Sequence, residues 1–209
     1  MQTAQHIARR LLEVEAVKLR PTSPFTWASG RQAPIYCDNR VLLSFPLIRR
    51  EVILAFREAS QAWSELDAVA GVATAGIAHG ALLAETLDLP FLYVRSAPKS
   101  HGRRNQIEGR LLPGQRLVLV EDLISTGGSC LRAAEALRAA RAEVAGVLAI
   151  FTYGFSEAAQ AFEKAGLPWQ ALTNYDTLLE EALKQQYIAA EDLHTLRQWR
   201  RDPAHWPPA

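Results

Sequence analysis

From about residue 66 onward, short apolar runs alternate with helix-length stretches, and this alternation limits the possible folds more sharply than any other feature of the sequence. Residues 68–73, 91–95, 116–122 and 144–153 are runs of strand length and strand composition. Residues 77–87 and the Ala-rich 130–141 have the length and apolar spacing of helices. A strand, a helix and another strand in repeated succession predict an α/β fold, with a parallel sheet and helices on both faces. In such sheets ligands bind beyond the carboxyl ends of the strands, so the loops after these runs are the first places to look for chemistry.

The first 65 residues read differently. Ile7, Leu11 and Val14 recur at helical spacing with Arg9 and Arg10 between them, which predicts an amphipathic helix rather than the continuous apolar run of a signal peptide. A stretch dense in Pro, Ser and Gly follows, and a helix is expected from near Pro46. Past the fourth run come a short strand at 169–173, two amphipathic helices, and a tail at 202–209 that packs or frays. The expectation is one domain over 1–209: a hood mainly of residues 1–45, an α/β core of about 46–190, and a C-terminal helix and tail at 191–209. The 209 residues suffice for such a core.

Charge and cysteine content narrow the function. The formal net charge is +1, so nothing in the bulk predicts a nucleic-acid or acidic-membrane partner, and any anion site must be local. Residues 68–84 carry no formal charge apart from titratable His79, but the stretch is short for a membrane span and reads as a buried strand running into a helix. Cys37 and Cys130, the only cysteines, cannot build a disulfide framework and lack metal-ligand spacing, which places the chain in a reducing cytoplasm.

The most informative stretch is VLVEDLISTGGS, residues 118–129. An apolar strand ends in Glu121 and Asp122. Leu123 and Ile124 follow, and Ser125, Thr126, Gly127, Gly128 and Ser129 then lead into a helix. Small residues let the backbone wrap an anion, while hydroxyls and helix N-terminal amides donate to phosphate oxygens. No Lys follows the glycines and no GxGxxG occurs, so neither nucleotide-hydrolase nor dinucleotide patterns apply. STGG alone is compatible with a simple capped turn; the acid pair at this offset favours sugar-hydroxyl recognition or metal chelation beside a phosphate. A second stretch, SAPKSHGRRNQIEG, follows the strand FLYVR. From Arg95 to Gly109 it sets Arg95, Lys99, Arg103 and Arg104 against the single acid Glu108, a formal charge of +3. Gly102 and Gly109 suit a mobile cationic loop able to close on a polyanion.

These strings resemble a known family. The first is similar to the phosphoribosyl pyrophosphate signature of type I phosphoribosyltransferases. The second, with Lys-x-His-Gly followed by Asn-Gln-Ile-Glu-Gly, resembles the catalytic loop of orotate phosphoribosyltransferases. TWASGRQAPIYCDNR, residues 26–40, resembles the hood motif of that family's Gram-positive-type members. The resemblance runs from about Pro24 to Ala190 and implies the type I fold, a parallel sheet flanked by helices with a small N-terminal hood. It implies an Mg²⁺-dependent pentosyltransferase that moves the ribose 5-phosphate of phosphoribosyl pyrophosphate onto orotate in pyrimidine synthesis. It further implies a homodimer whose lid reaches the neighbouring subunit's site.

Residue by residue, the resemblance assigns Arg95, Lys99, His101, Glu121, Asp122, Leu123, Ile124, Ser125, Thr126, Gly127, Gly128 and Ser129 to phosphoribosyl pyrophosphate. It assigns Ser125, Ser29, Gly30 and Arg31 to orotate, with Tyr36 either shaping that pocket or lying in the core. Lys99, His101 and Asp122 are the candidate catalytic residues, and no protein cage for the metal is expected. The sequence departs from the family pattern at Ala28, Thr74, Ala75 and Ser96, and no Arg follows Phe151. Two other readings stay open: transfer to another base, and a regulator that senses phosphoribosyl pyrophosphate without catalysis.

Overall fold

The computed structural model describes residues 2–26, 30, 32–97 and 106–206. Along the chain come α1 (Gln2–Glu13), β1 (Val17–Leu19), β2 (Phe25–Thr26), β3 (Gln32–Ala33), β4 (Ile35–Cys37), a 3-10 turn (Asn39–Ser44) and α2 (Pro46–Ser60). The core continues with β5 (Ala68–Val72), α3 (Gly76–Leu87), β6 (Phe91–Val94), β7 (Ile107–Glu108), β8 (Arg116–Ile124), α4 (Gly128–Ala139) and β9 (Glu143–Thr152). It closes with α5 (Ser156–Lys164), β10 (Trp169–Asn174), α6 (Tyr175–Lys184) and α7 (Asp192–Arg201).

The main sheet has the order β10-β9-β8-β5-β6-β7, parallel throughout except for the antiparallel edge strand β7. Both faces of the central strands β5, β8 and β9 are buried over most of their length, which is why these runs are largely apolar. Val118, Val120, Leu148 and Ile150 pack with α1, α2, α3, α6 and α7, whereas Leu117, Leu119, Val147 and Ala149 pack with α4 and α5. The expected two-sided α/β architecture is thus the one observed. Residues 68–84 form β5 and α3, and among the described residues no helix is long and apolar enough to cross a membrane.

Two readings need correction. The strand expected to end at Asp122 continues through Ile124, because Leu123 and Ile124 find partners in Phe151 and Thr152 of β9. The sequence pattern also predicts no helix between β9 and β10. α5 forms there on the i, i+4 pair Ala158 and Phe162, which face the core, with Glu157 in its first turn and Lys164 in its last complementing the helix dipole. In the tail, Trp206 is buried against the core.

The order of connection locates the site. From β5 the chain moves to β6 on one side, makes the short β7, and crosses to β8 on the other side of β5. Neighbouring crossovers therefore diverge at β5 and β8, and the crevice beyond their carboxyl ends is the natural ligand position.

Candidate active site

β8 delivers Glu121 and Asp122 to that crevice, and the chain then turns directly into α4. Gly127 holds a φ of +81°, a left-handed conformation that disfavours any side chain, and a Cβ there would lie 2.6 Å from the Phe162 ring. The N-cap of α4 is Gly127, which has no side chain to cap the helix, and such a start can offer its first amides to an anion. Ser125 is half-buried at the bottom of this loop, while Thr126 and Ser129 are exposed along it. β9 braces the loop from beside it: the Thr152 hydroxyl donates to the Ile124 carbonyl at 3.0 Å and the Tyr153 amide donates to the same oxygen at 3.3 Å. Ile124 itself is fully buried, so its side chain belongs to the core.

The acid pair is electrostatically uneasy. Glu121 is only 6 % exposed, and burial, reinforced by the charge of Asp122, pushes its carboxyl up to about 9. Burial also raises Asp122, opposed by hydrogen bonding from Glu121 and nearby backbone and by the more distant Arg40 guanidinium. The Asp122 amide donates to Glu121 Oε1 at 3.0 Å. Arg40 spends its hydrogen bonds on Asp38, at 2.7 and 2.9 Å. A buried and a half-buried acid in this state favour whatever brings hydroxyl donors or positive charge to them.

The loop after β5 forms the next part of the wall. Its Ala73–Thr74 peptide is cis, Thr74 is exposed and Ala75 half-buried. The loop enters α3 at Gly76, which lies so close to β8 that a methyl group there would overlap the Val120 carbonyl oxygen. That contact sets the family-variant pair Thr74 and Ala75 beside the acids. One strand further, β6 and β7 form the base of the basic segment. Tyr93 pairs with Glu108 and Val94 with Ile107, and the Arg95 amide donates to the Gln106 carbonyl at 2.8 Å. Because β6 and β8 flank β5 in parallel, the segment leaves the sheet from the same edge as the cradle, about 10 Å away at two strand spacings. Arg95 is paired with Glu108 at 3.6 Å, and Ser96 is exposed.

On the opposite side, β2 and β3 pair Phe25 with Ala33 and Thr26 with Gln32, and β1 pairs with β4. Gly30 is exposed at a φ of +82°. Tyr36 is 43 % exposed, which removes it from the core, with its ring centroid 5.7 Å from that of Phe25. The expected residues Ser29, Arg31, Lys99 and His101 lie outside the described residues, as do Ala28, Arg103 and Arg104. The structure therefore brings together Glu121, Asp122, Ser125, Thr126, Gly127, Gly128 and Ser129, with Arg95 at the foot of the neighbouring segment.

Asn39 escaped the sequence reading. It is fully buried, and its side-chain amide donates to the Asp122 carbonyl at 2.8 Å across 83 positions of sequence. Behind it on α3 lies His79, also fully buried, with neither ring nitrogen hydrogen-bonded among the described residues. Burial lowers this histidine to about 4, countered only by the Asn39 backbone. The faint signal for Asn39 was a polar residue in a segment already marked as hood; nothing local announced its partner. The large groove of about 500 Å³ between α1 and α2, lined by residues such as His6, Arg9, Glu51 and Leu54, contains none of these site residues.

A doubly covered parallel sheet with paired acids and a glycine- and hydroxyl-rich turn into a helix at its switch point is the pattern of the phosphoribosyl-transfer class, and residues 38–165 match the phosphoribosyl transferase domain family. The chain is 51% identical over 207 residues to the orotate phosphoribosyltransferase of Listeria monocytogenes serotype 4b (strain F2365), covering 99% of each. The crystal structure of the Aeropyrum pernix orotate phosphoribosyltransferase superposes with a TM-score of 0.76 at 32% identity, over 88% of this chain and 99% of that one. Leishmania donovani UMP synthase superposes with a TM-score of 0.79 at 27% identity; 95% of this chain is matched, spanning 42% of that larger protein. The chain belongs to the orotate phosphoribosyltransferase family.

Proposed function

We propose that the chain transfers the ribose 5-phosphate unit of phosphoribosyl pyrophosphate to N1 of orotate, giving orotidine 5'-phosphate and diphosphate in pyrimidine nucleotide synthesis. The observation that carries this reading is the pair of buried Glu121 and half-buried Asp122 near the end of β8, followed within a few residues by the start of α4. The α4 amides, with Ser125, Thr126 and Ser129, hold the 5-phosphate. The acid pair then faces the ribose hydroxyls and, as the bond from the anomeric carbon to diphosphate lengthens, the positive charge that develops on the sugar. Stabilisation that appears only with that charge raises the rate rather than merely the affinity.

The same carboxylates fit a magnesium ion, since uncompensated buried acids favour a hard cation. Glu121 and Asp122 would hold such an ion from the protein side, and the substrate's own oxygens would supply its remaining ligands. Held there, a magnesium ion would supply charge neutralisation for the departing diphosphate. Lys99 and His101 serve the same leaving group from the basic segment, His101 by proton donation, and the segment closes over the neighbouring subunit's site in a homodimer. Ser29, Gly30 and Arg31 seat the orotate together with Ser125. Cys37 and Cys130 are both free thiols, in keeping with a cytoplasmic enzyme.

The test is loss of orotate absorbance with phosphoribosyl pyrophosphate and Mg²⁺, run in competition with uracil, hypoxanthine and adenine. Orotate should dominate; preferred turnover of another base, which Thr74 and Ala75 leave as the second reading, would overturn the assignment of orotate. Lys99→Ala should lose far more rate than substrate affinity. Equal losses in both would point to binding without catalysis.

A further inference from the structure

We propose that Asn39 is a positioning residue for the transfer reaction, fixing the backbone of Asp122 and thereby the angle at which the paired carboxylates meet the sugar. This rests on the function proposed above. β5 pairs with β8 only as far as Gly71 opposite Val120, so beyond that point β8 has no strand on its β5 side. A buried carbonyl left without a donor is costly, and in the crevice the Asp122 carbonyl is met by the Asn39 amide at 2.8 Å rather than by β5. The other end of the same amide is also held: Asn39 Oδ1 accepts from the Cys37 thiol at 3.5 Å. A side chain secured at both ends cannot rotate away, and its position as the first residue of the 3-10 turn is set by Asp38, whose carboxylate accepts from the Arg40 amide.

The consequence reaches beyond one hydrogen bond. Cys37 ends β4, the strand paired with β1, so this part of the N-terminal segment is joined to the acid pair through Asn39. The Asp122 amide in turn donates to the Glu121 carboxylate, so the backbone that Asn39 holds also orients the second acid. Asn39 touches neither substrate in this scheme; it acts through Asp122. Misplacing a catalytic group by a fraction of an ångström is enough to cost much of the rate.

The experiment compares wild type with Asn39→Ala, Asn39→Asp and Asp122→Asn, and with each Asn39 change combined with Asp122→Asn. Asn39→Asp keeps the shape of the side chain but replaces the donor with an acceptor and adds an ionisable carboxyl beside the acid pair, whereas Asn39→Ala removes the donor without adding charge. Each Asn39 variant should lower kcat about 10- to 100-fold, the scale of one unsatisfied buried carbonyl, while KM for phosphoribosyl pyrophosphate moves less than about threefold. In the Asp122→Asn background the same changes should cost less than about threefold in kcat, because residues acting through one another are not additive. If Asn39→Ala proves too unstable to assay, Cys37→Ala, which frees the other end of the amide, should lower kcat with the same unchanged KM. Wild-type turnover with normal kcat in the Asn39 variants, or losses that simply multiply with Asp122→Asn, would overturn this proposal alone. A wild-type enzyme inactive on every base would overturn the functional reading, and this proposal with it.

Discussion

Along β8 and the start of α4, residues 121–129 supply acids, hydroxyls and helix amides in one unbroken run, braced by Thr152 and Tyr153 of the adjacent strand. The other wall is gathered from separate pieces: the end of β4, the 3-10 turn, and the Thr74 and Ala75 loop that enters α3 and presses on β8. One wall is a local motif laid on a strand end, and the other exists only because the fold brings distant segments together. A local wall keeps its geometry as long as its strand is paired. An assembled wall depends on a few long-range contacts, with Asn39 to Asp122 prominent among them.

The point where both walls meet should be the least tolerant. At Gly76 the start of α3 presses on the β8 backbone, and an added methyl group would overlap the Val120 carbonyl oxygen, which cannot swing aside as a side chain could. Gly76→Ala must therefore move α3 away from β8, with an expected loss of about 3 kcal/mol or more. Thermal or denaturant unfolding measures it. A variant with wild-type stability would mean that the two walls adjust independently, and the contrast between them would lose its basis.

The acid pair sharpens the comparison from the local side. With the Glu121 carboxyl raised to about 9, the folded pair retains a proton that the unfolded chain releases at much lower pH. Between roughly pH 4.5 and 9 the native state binds more protons than the unfolded one, so this site makes the protein less stable as pH rises. Glu121→Gln removes that dependence. Its Tm should exceed the wild-type value by a margin that grows from pH 5 to pH 9, reaching roughly 3–10 °C, while kcat falls about 100-fold or more. A Tm difference independent of pH would show that Glu121 is ionised in the resting fold. Asp122→Asn should cost rate on a similar scale.

The same division explains what could be read in advance. The core strands and their helices follow from apolar period and length, and the run from Glu121 to Ser129 carries its chemistry in its order. β8 nevertheless runs two residues further than its acids suggested, because Leu123 and Ile124 pair with Phe151 and Thr152, a fact held in another strand. α5 needed the same outside knowledge, since a nine-residue helix resting on Ala158 and Phe162 has little pattern of its own. On the assembled wall almost nothing was legible residue by residue. Tyr36 fitted core and pocket equally well on paper and proves to be exposed, and Asn39 reads as an ordinary loop asparagine until its partner 83 positions away is known. Hydrogen bonds of that separation leave no periodic trace.

The smallest expected effect tests the packing behind the assembled wall. His79 is enclosed where α3 meets the 3-10 turn, and burial holds it near 4 instead of its ordinary 6.5. The folded chain keeps this imidazole neutral while the unfolded chain protonates it, so stability is intact above about pH 6.5 and declines as pH falls toward 4. At pH 5 the cost is about 2 kcal/mol. His79→Leu fills a similar volume without a titrating group. Between pH 7.5 and 5 the wild-type Tm should therefore fall about 4–8 °C further than that of the variant. Glu51 and Asp38, whose carboxyls are held low by Arg10 and Arg40, add an acid loss common to both proteins, which cancels in the difference. Parallel Tm curves would mean that water or a neighbouring group reaches the imidazole in solution, and that the wall around Asn39 is more open than its burial implies.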